Sequence, residues 1–169
     1  LNALNISNQI SDASSSFSGW NDTTPTSSLI YFSDNAGVNG SGDTYIAYCF
    51  AEKTGYSKFG SYVGNGNADG PFVYTGFKPA FVMFKKTSGS ADNWQLWDNK
   101  RDTYNPVEKA LHPDIANTAS TDQDIDFLSN GFKIRSSVAH INQSGVKSIY
   151  MAFAEAPLVG SNGVTAKAR

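Results

Sequence analysis

Cysteine, net charge and long apolar runs are all scarce in this chain. It has one Cys among 169 residues, so it can form neither an intrachain disulfide nor a multi-cysteine zinc site. No apolar run approaches the ~20 residues that span a bilayer, so we expect no membrane insertion. The 13 Lys+Arg against 15 Asp+Glu leave a net charge of -2, which excludes a strongly basic nucleic-acid binder.

Glutamate is also scarce, because only Glu52, Glu108 and Glu155 occur, whereas Ser, Thr and Asn are abundant. This composition has few strong helix formers and many residues that favour turns. Aromatic residues make up 13% of the chain, which is too many for a disordered polymer. The length fits one ordinary domain, and the composition predicts that it is rich in β structure.

Short apolar or aromatic runs separated by Gly, Asn, Asp and Pro predict an all-β fold. We expect an antiparallel β-sandwich, jelly-roll or lectin-like, over residues 29–169. Residues 1–28, rich in Ser, Asn and Thr, are interpreted as a docked linker to an upstream shaft. The predicted strands are 29–33, 44–52, 57–62, 72–75, 80–86, 94–98, 124–128, 131–136 and 148–155.

One short helical turn is predicted near 106–112. Asn105 can cap it, Pro106 suits its first position, Glu108 completes a capping box and Pro113 ends it.

The run 44–52 has apolar residues on both faces when it is read as a strand, which predicts a central strand. Residues 149–155 resemble residues 46–52 in sequence, and we expect the two segments to be neighbours in one sheet. In a central strand Cys49 would be a small, buried and inert residue.

Residues 65–70, Asn-Gly-Asn-Ala-Asp-Gly, resemble the start of an EF-hand calcium loop. The twelfth position is Gly76 instead of the bidentate Glu that such a loop requires. We therefore favour a turn in which glycine accommodates a positive φ.

Asp122, Asp124 and Asp126 would lie on one face of a strand, with Ile125 and Phe127 on the other. Three carboxylates together could bind a hard cation such as Ca²⁺. The favoured alternative is a solvated strand face whose charges discourage edge-to-edge aggregation. We accordingly expect no metal and no cofactor, with calcium as the open alternative.

Residues 94–104 mix aromatic rings with planar hydrogen-bonding side chains, as a sugar site does. An aromatic ring covers the C–H face of a sugar, while Asp and Arg bond its hydroxyls. The alternative is that the tryptophans are core and that the charged residues form a structural ion-pair network; at least one tryptophan should be buried. The candidate ligand-binding residues are Trp97, Asp98, Arg101, Asp102 and Tyr104.

Enzyme motifs are missing from the sequence. Neither His112 nor His140 lies in a recognisable catalytic pattern, and the chain has no nucleophile elbow, phosphate-binding glycine loop or zinc-protease motif. We expect a protein that is not an enzyme and has no catalytic residues.

Several aromatic and glycine-rich strings together resemble a known family. From about Trp20 to Arg169 the chain is similar to an uncharacterised domain of bacteriophage virion proteins, mainly aquatic or marine, that often closes a tail-fibre-like chain. The strings are 44–52, 55–62, 64–66, 69–70, 72–79, 98 with 100–101, 126–132 and 150–155.

The resemblance implies a virion-surface, extracellular role in attachment to the host, without implying any site residue. The expected function is a tail-fibre or adhesin domain that recognises a host-surface glycan or an outer-membrane receptor. Such fibres are commonly trimers, so the expected partners are further copies in a homotrimer and other virion proteins. The alternatives are a capsid-decorating or fibre-cementing domain and a glycan-cleaving tailspike domain.

Overall fold

A computed structural model describes residues 23–89 and 92–156 and confirms the all-β fold. The described residues form seven strands and two four-residue helices, neither of which the sequence analysis predicted. In chain order the elements are α1 (Ala36–Asn39), β1 (Ser57–Val63), β2 (Phe72–Tyr74), β3 (Pro79–Lys86), β4 (Gln95–Asp98), β5 (Ile125–Leu128), β6 (Gly131–Ile134), α2 (Ala139–Asn142) and β7 (Lys147–Ala154). No described helix is long and apolar enough to cross a membrane.

Two antiparallel sheets make up the fold. The four-stranded sheet has the order β1-β7-β3-β4, and the three-stranded sheet has the order β2-β6-β5. β7 is therefore a central strand: Met151 lies opposite Phe59 on β1 and opposite Met83 on β3. Side chains alternate across each strand, so one face of each sheet can supply the core.

The core is a single aromatic-rich cluster of residues from both sheets. Trp97 stacks on Phe84 with 4.6 Å between ring centroids, and Tyr62 meets Phe84 and Phe132 edge to face. Phe132 from the smaller sheet also meets Tyr150 from the larger one at 5.4 Å. These contacts across the sheets fix the two layers against each other.

The helical turn predicted near 106–112 is wrong. The Asn105 side chain caps nothing; its Oδ1 accepts from the Phe127 amide and its Nδ2 donates to the Phe127 carbonyl. Val107 exchanges backbone hydrogen bonds with Ile125, and Ala110 exchanges them with Ser120. The segment is extended because a helix would sacrifice these long-range bonds.

The strand predicted at 44–52 is also wrong, although the chain passes close to the larger sheet there. All nine residues are exposed, Cys49 included, and the segment has no strand. β7 pairs with β1 and β3 instead, so residues 46–52 and 149–155 are not sheet neighbours. The Tyr45 hydroxyl is tied to the α1 turn, where it donates to the Ala36 carbonyl and accepts from the Gly40 amide.

The predicted strand at 29–33 is reduced to an isolated bridge at Phe32. Most of the proposed linker, 1–28, lies outside the described residues; residues 23–28 are exposed. The division into linker and domain stays a prediction.

Candidate functional site

A surface cleft of about 320 Å³ lies where β4 ends and the chain turns into residues 99–105. β3 begins beside it and β7 ends beside it, since Pro79 pairs with Ala154. The cleft is therefore built from four separate parts of the chain. Its lining residues are Lys78, Asn99, Lys100, Asp102, Thr103, Tyr104, Asn105, Val107, Phe127 and Glu155.

Asp98, the last residue of β4, holds the turn that opens the cleft. Its Oδ1 accepts from the backbone N–H groups of Lys100 and Arg101, both at 2.9 Å, and its Oδ2 accepts from Arg101 Nε. Burial by itself would raise the pKa of Asp98, but the hydrogen bonds from Arg101 and Lys100 outweigh it and leave this pKa lowered. The turn is thus stabilised by an ionised carboxylate.

The loop that follows is fixed at two further points. Asp102 Oδ2 accepts from the Glu108 amide at 2.8 Å, and Asn105 is bonded to the backbone of Phe127. Between these anchors Tyr104 is 84% exposed, although it lines the cleft. An aromatic ring is therefore presented to solvent from a loop whose flanks are tied down.

One wall of the cleft is a hydrogen-bonded polar group. Lys78 Nζ and Glu155 Oε2 form an ion pair at 2.8 Å, and Asn99 Nδ2 donates to Glu155 Oε1 at 2.8 Å. Each of these side chains is held by a neighbour, so their remaining donor and acceptor sites point in defined directions. The wall combines an ammonium, a carboxylate and an amide, which together can donate hydrogen bonds to hydroxyls and accept hydrogen bonds from them.

The five predicted ligand-binding residues divide into three groups. Trp97 is 0% exposed, with Nε1 donating to the Gln123 carbonyl at 3.0 Å, so it presents no surface to a ligand. Asp98 and Arg101 form the structural pair that closes the turn. Asp102 and Tyr104 line the cleft.

Lys78, Asn99, Lys100 and Glu155 also line the cleft, and the sequence analysis did not select them. Lys78 and Glu155 lie far apart in sequence and meet through the pairing of β3 with β7. No local motif marks this pair. Asn99 and Lys100 lie inside the predicted sugar-binding segment 94–104, in which Asp98 and Arg101 were the expected ligand-binding residues.

The EF-hand-like segment 65–70 is a turn whose oxygens are already engaged. Asn65 Oδ1 accepts from the Asn67 amide, and the fully buried Asn142 donates to the same oxygen. Asp69 pairs with Lys133 at 2.6 Å, whose side chain lowers the pKa of Asp69. Gly66 has φ 69°, which agrees with the favoured turn interpretation.

The aspartates around β5 alternate with core residues as predicted. Asp124 and Asp126 are half-buried, while Ile125 and Phe127 are buried. Burial first, and then the charges of Glu108, Asp122 and Asp126, raise the pKa of Asp124. Within the described ranges, no group of three His, Cys, Asp or Glu side chains is placed to hold a metal ion.

Both histidines take part in polar contacts away from the cleft lining. His140 Nδ1 lies 2.8 Å from Asp92 Oδ2, and the same carboxylate oxygen is 3.2 Å from Lys86 Nζ. His112 Nε2 lies 2.8 Å from Ser120 Oγ. These contacts tie loops to β3 and to one another. Lys85 is next to Lys86 on β3, and its burial lowers the pKa of its ammonium group.

Residues 2–157 match the model of a family described as a domain of unknown function, DUF7483. The chain belongs to this family. No curated protein matches it, and no solved structure does. The cleft residues Lys78, Asp102, Tyr104 and Glu155 all fall within the part of the chain that the DUF7483 model covers.

Proposed function

We propose that this DUF7483 domain is an adhesin domain of a phage fibre and binds a host-surface glycan in the cleft beside Tyr104. The observation that carries the proposal is a tyrosine 84% exposed on a doubly anchored loop, in a cleft that fixed polar side chains also line. The virion assignment rests on the resemblance given above. The resemblance also implies an extracellular virion surface as the expected location. Attachment to a host requires recognition without a chemical step.

Binding would divide between the ring and the polar wall. The Tyr104 ring would cover the apolar C–H face of a pyranose. Lys78, Asn99 and Glu155 would exchange directional hydrogen bonds with its hydroxyls. Because these side chains are held by one another before the ligand arrives, little rotamer entropy is lost on binding. The mixture of charges on that wall leaves both neutral and acidic sugars as possible ligands.

The test is binding of the purified domain to an array of bacterial surface glycans. We expect Tyr104→Ala to weaken binding by about tenfold or more, and Tyr104→Phe, which keeps the ring, to retain it. Tyr74→Ala is the matched control, since Tyr74 is 64% exposed on β2 and does not line the cleft. Equal affinity of Tyr104→Ala and wild type for every bound glycan would contradict the choice of site.

A glycan-cleaving tailspike is the function that this proposal must be separated from. We expect host polysaccharide incubated with the domain to keep its chain length at several pH values and with added calcium. Shortening of the polysaccharide would mean that the domain cleaves glycans, and it would contradict a function of recognition alone.

A structural role in decorating a capsid or cementing a fibre is the second candidate. It is favoured by the exposed apolar residues at 45–50, a surface that suits a neighbouring protein better than a sugar. A map of the virion that places the domain between capsid subunits would favour this role, whereas a position at the tip of a fibre would favour attachment.

A further inference from the structure

Residues 44–50 form an extended apolar surface that touches the larger sheet at its last residue, where the Phe50 ring lies 6.2 Å from that of Phe59 and 5.8 Å from that of Phe153. Tyr45, Ile46, Tyr48 and Phe50 are 47%, 81%, 79% and 58% exposed. None of the seven residues shares a backbone hydrogen bond with another described residue. Their sequence nevertheless has the apolar-on-both-faces pattern of a central strand.

A second open feature lies on β1, which has β7 on one side and no strand on the other among the described elements. Ser57 exchanges both of its backbone bonds with Lys53, on the side away from β7. Since hydrogen-bonding directions alternate along a strand, Phe59, Ser61 and Val63 also direct their N–H and C=O groups away from β7. The Glu52 carboxylate of the same chain bonds the Phe59 N–H, so the open part of the edge runs from the Phe59 C=O to Val63. This row of groups is an edge to which another strand can be added.

We infer that residues 44–50 of one copy of this chain add as a strand to the open part of the β1 edge, from the Phe59 C=O to Val63, in a second copy. The donor strand and the acceptor edge are present on the same molecule, so every copy can serve as both. The contact is head-to-tail and closes into a ring when the rotation permits, the expected trimer being one such ring. This inference concerns self-assembly and does not depend on the glycan proposal.

The size and charge of the surface suit a second copy. With about 200 Å² for a large side chain, the four exposed residues leave roughly 500 Å² of mainly apolar area. A matching area on the acceptor would bring the total to about 1,000 Å², the lower bound for a specific interface. Neither residues 44–50 nor residues 59–63 of β1 carry a charged side chain, so the donor strand and the acceptor edge meet without like-charge repulsion.

The donor's own β1 edge is the competing partner for the segment. Residue 53 begins a hairpin with Ser57, and the chain before it stays beside β1 through side chains: the Ser57 hydroxyl bonds the Ala51 carbonyl, Glu52 pairs with Lys58, and the Phe50 ring packs on Phe59. No backbone pairing with β1 continues from there into residues 44–50. Pairing within one chain would produce a monomer, whereas pairing between chains produces a larger species. The mass of the protein in solution therefore distinguishes the two arrangements.

Native mass spectrometry and sedimentation on the full chain test the inference with one donor variant and one acceptor variant. Tyr48→Asp places a charge in the donor strand, and Tyr104→Asp is its matched control, an equally exposed tyrosine outside the segment. Ser61→Pro removes an outward N–H from the edge, whereas Ser61→Ala keeps it. Circular dichroism verifies that each variant is folded.

We expect wild type and both controls to associate, and Tyr48→Asp and Ser61→Pro each to raise the dissociation constant at least about tenfold. Mixing those two variants should restore a heterodimer, because one retains a working edge and the other a working donor strand. A monomeric wild type at its highest soluble concentration, or a mixture that stays monomeric, would overturn the inference. Loss of glycan binding by Tyr104→Ala with assembly intact would separate the cleft from this interface.

Discussion

Replacement of Asp98 tests whether the shape of the candidate cleft depends on one carboxylate. Asp98 does not line the cleft, but it holds the turn that leads into it. Asp98→Ala removes three hydrogen-bond acceptor contacts, from Lys100 N, Arg101 N and Arg101 Nε. At about 1 kcal/mol net for each bond, the free energy of unfolding should fall by about 2–3 kcal/mol, with the lower value reached if water replaces one acceptor. Urea unfolding followed by tryptophan fluorescence measures the loss.

Asp98→Asn provides the matched control, because its side-chain oxygen can still accept the two backbone N–H groups while the charge is gone. We expect this variant to lose about 1 kcal/mol at neutral pH. Its effect should depend on pH, since the folded protein lowers the pKa of Asp98 relative to the unfolded chain. The stabilisation is fully present above the unfolded pKa of about 3.9 and disappears as the pH falls through the folded pKa.

Two results would refute this reasoning. The first is an Asp98→Ala protein within about 0.5 kcal/mol of wild type, the range of an ordinary surface substitution. The second is a difference between wild type and Asp98→Asn that stays constant as the pH is lowered. Either result would mean that the turn before Tyr104 is held by the rest of the sheet, and that the carboxylate has no special role in presenting the ring.

Three further predictions concern residues that do not line the cleft. Asn142→Ala should cost about 3–4 kcal/mol in urea unfolding, because the fully buried side chain makes four hydrogen bonds, two of them to Asn65; a loss below about 1 kcal/mol would contradict this. Asp124→Asn should raise the melting temperature at neutral pH, since a raised folded pKa means that the charged form is penalised. The gain should vanish below about pH 3.9, where the carboxyl is protonated in both states; a gain that persists there would point to another cause. Trp97→Ala should cost about 4 kcal/mol by core truncation, which a calorimetric scan would show, and a smaller effect than that of Asp98→Ala would place the indole outside the core.

The sequence predicted strands well wherever one face of a strand had to be buried. The predicted strand 80–86 corresponds to Pro79–Lys86, and 148–155 corresponds to Lys147–Ala154. Alternation is a local property of the chain, and burial against the opposite sheet enforces it. Seven of the nine predicted strands overlap strands of the structure for this reason.

Local patterns failed where distant backbone groups competed for the same residues. The capping signals at Asn105 and Pro106 are genuine helix signals, yet Asn105 bonds the backbone of Phe127 and Val107 bonds that of Ile125. Prediction of the site from local sequence is limited in the same way. Asp102 and Tyr104 could be selected from one continuous segment, whereas Lys78 and Glu155 meet only through the pairing of β3 with β7. Strand order and register, which place that pair in the cleft, are not encoded by any short string.

We expect two exposed aromatic surfaces of this domain to bind different partners because of what surrounds each ring. Tyr104 lines the same cleft as the Lys78–Glu155 ion pair, and a sugar bound there could satisfy both its apolar face and its hydroxyls. The apolar stretch at 45–50 has no charged side chain, so its side chains offer a sugar few replacements for the hydrogen bonds that it loses to water. That stretch offers an unpaired backbone together with aromatic and aliphatic side chains. The open edge of β1 has unpaired N–H and C=O groups that such a backbone can bond. A protein strand is the partner that satisfies both.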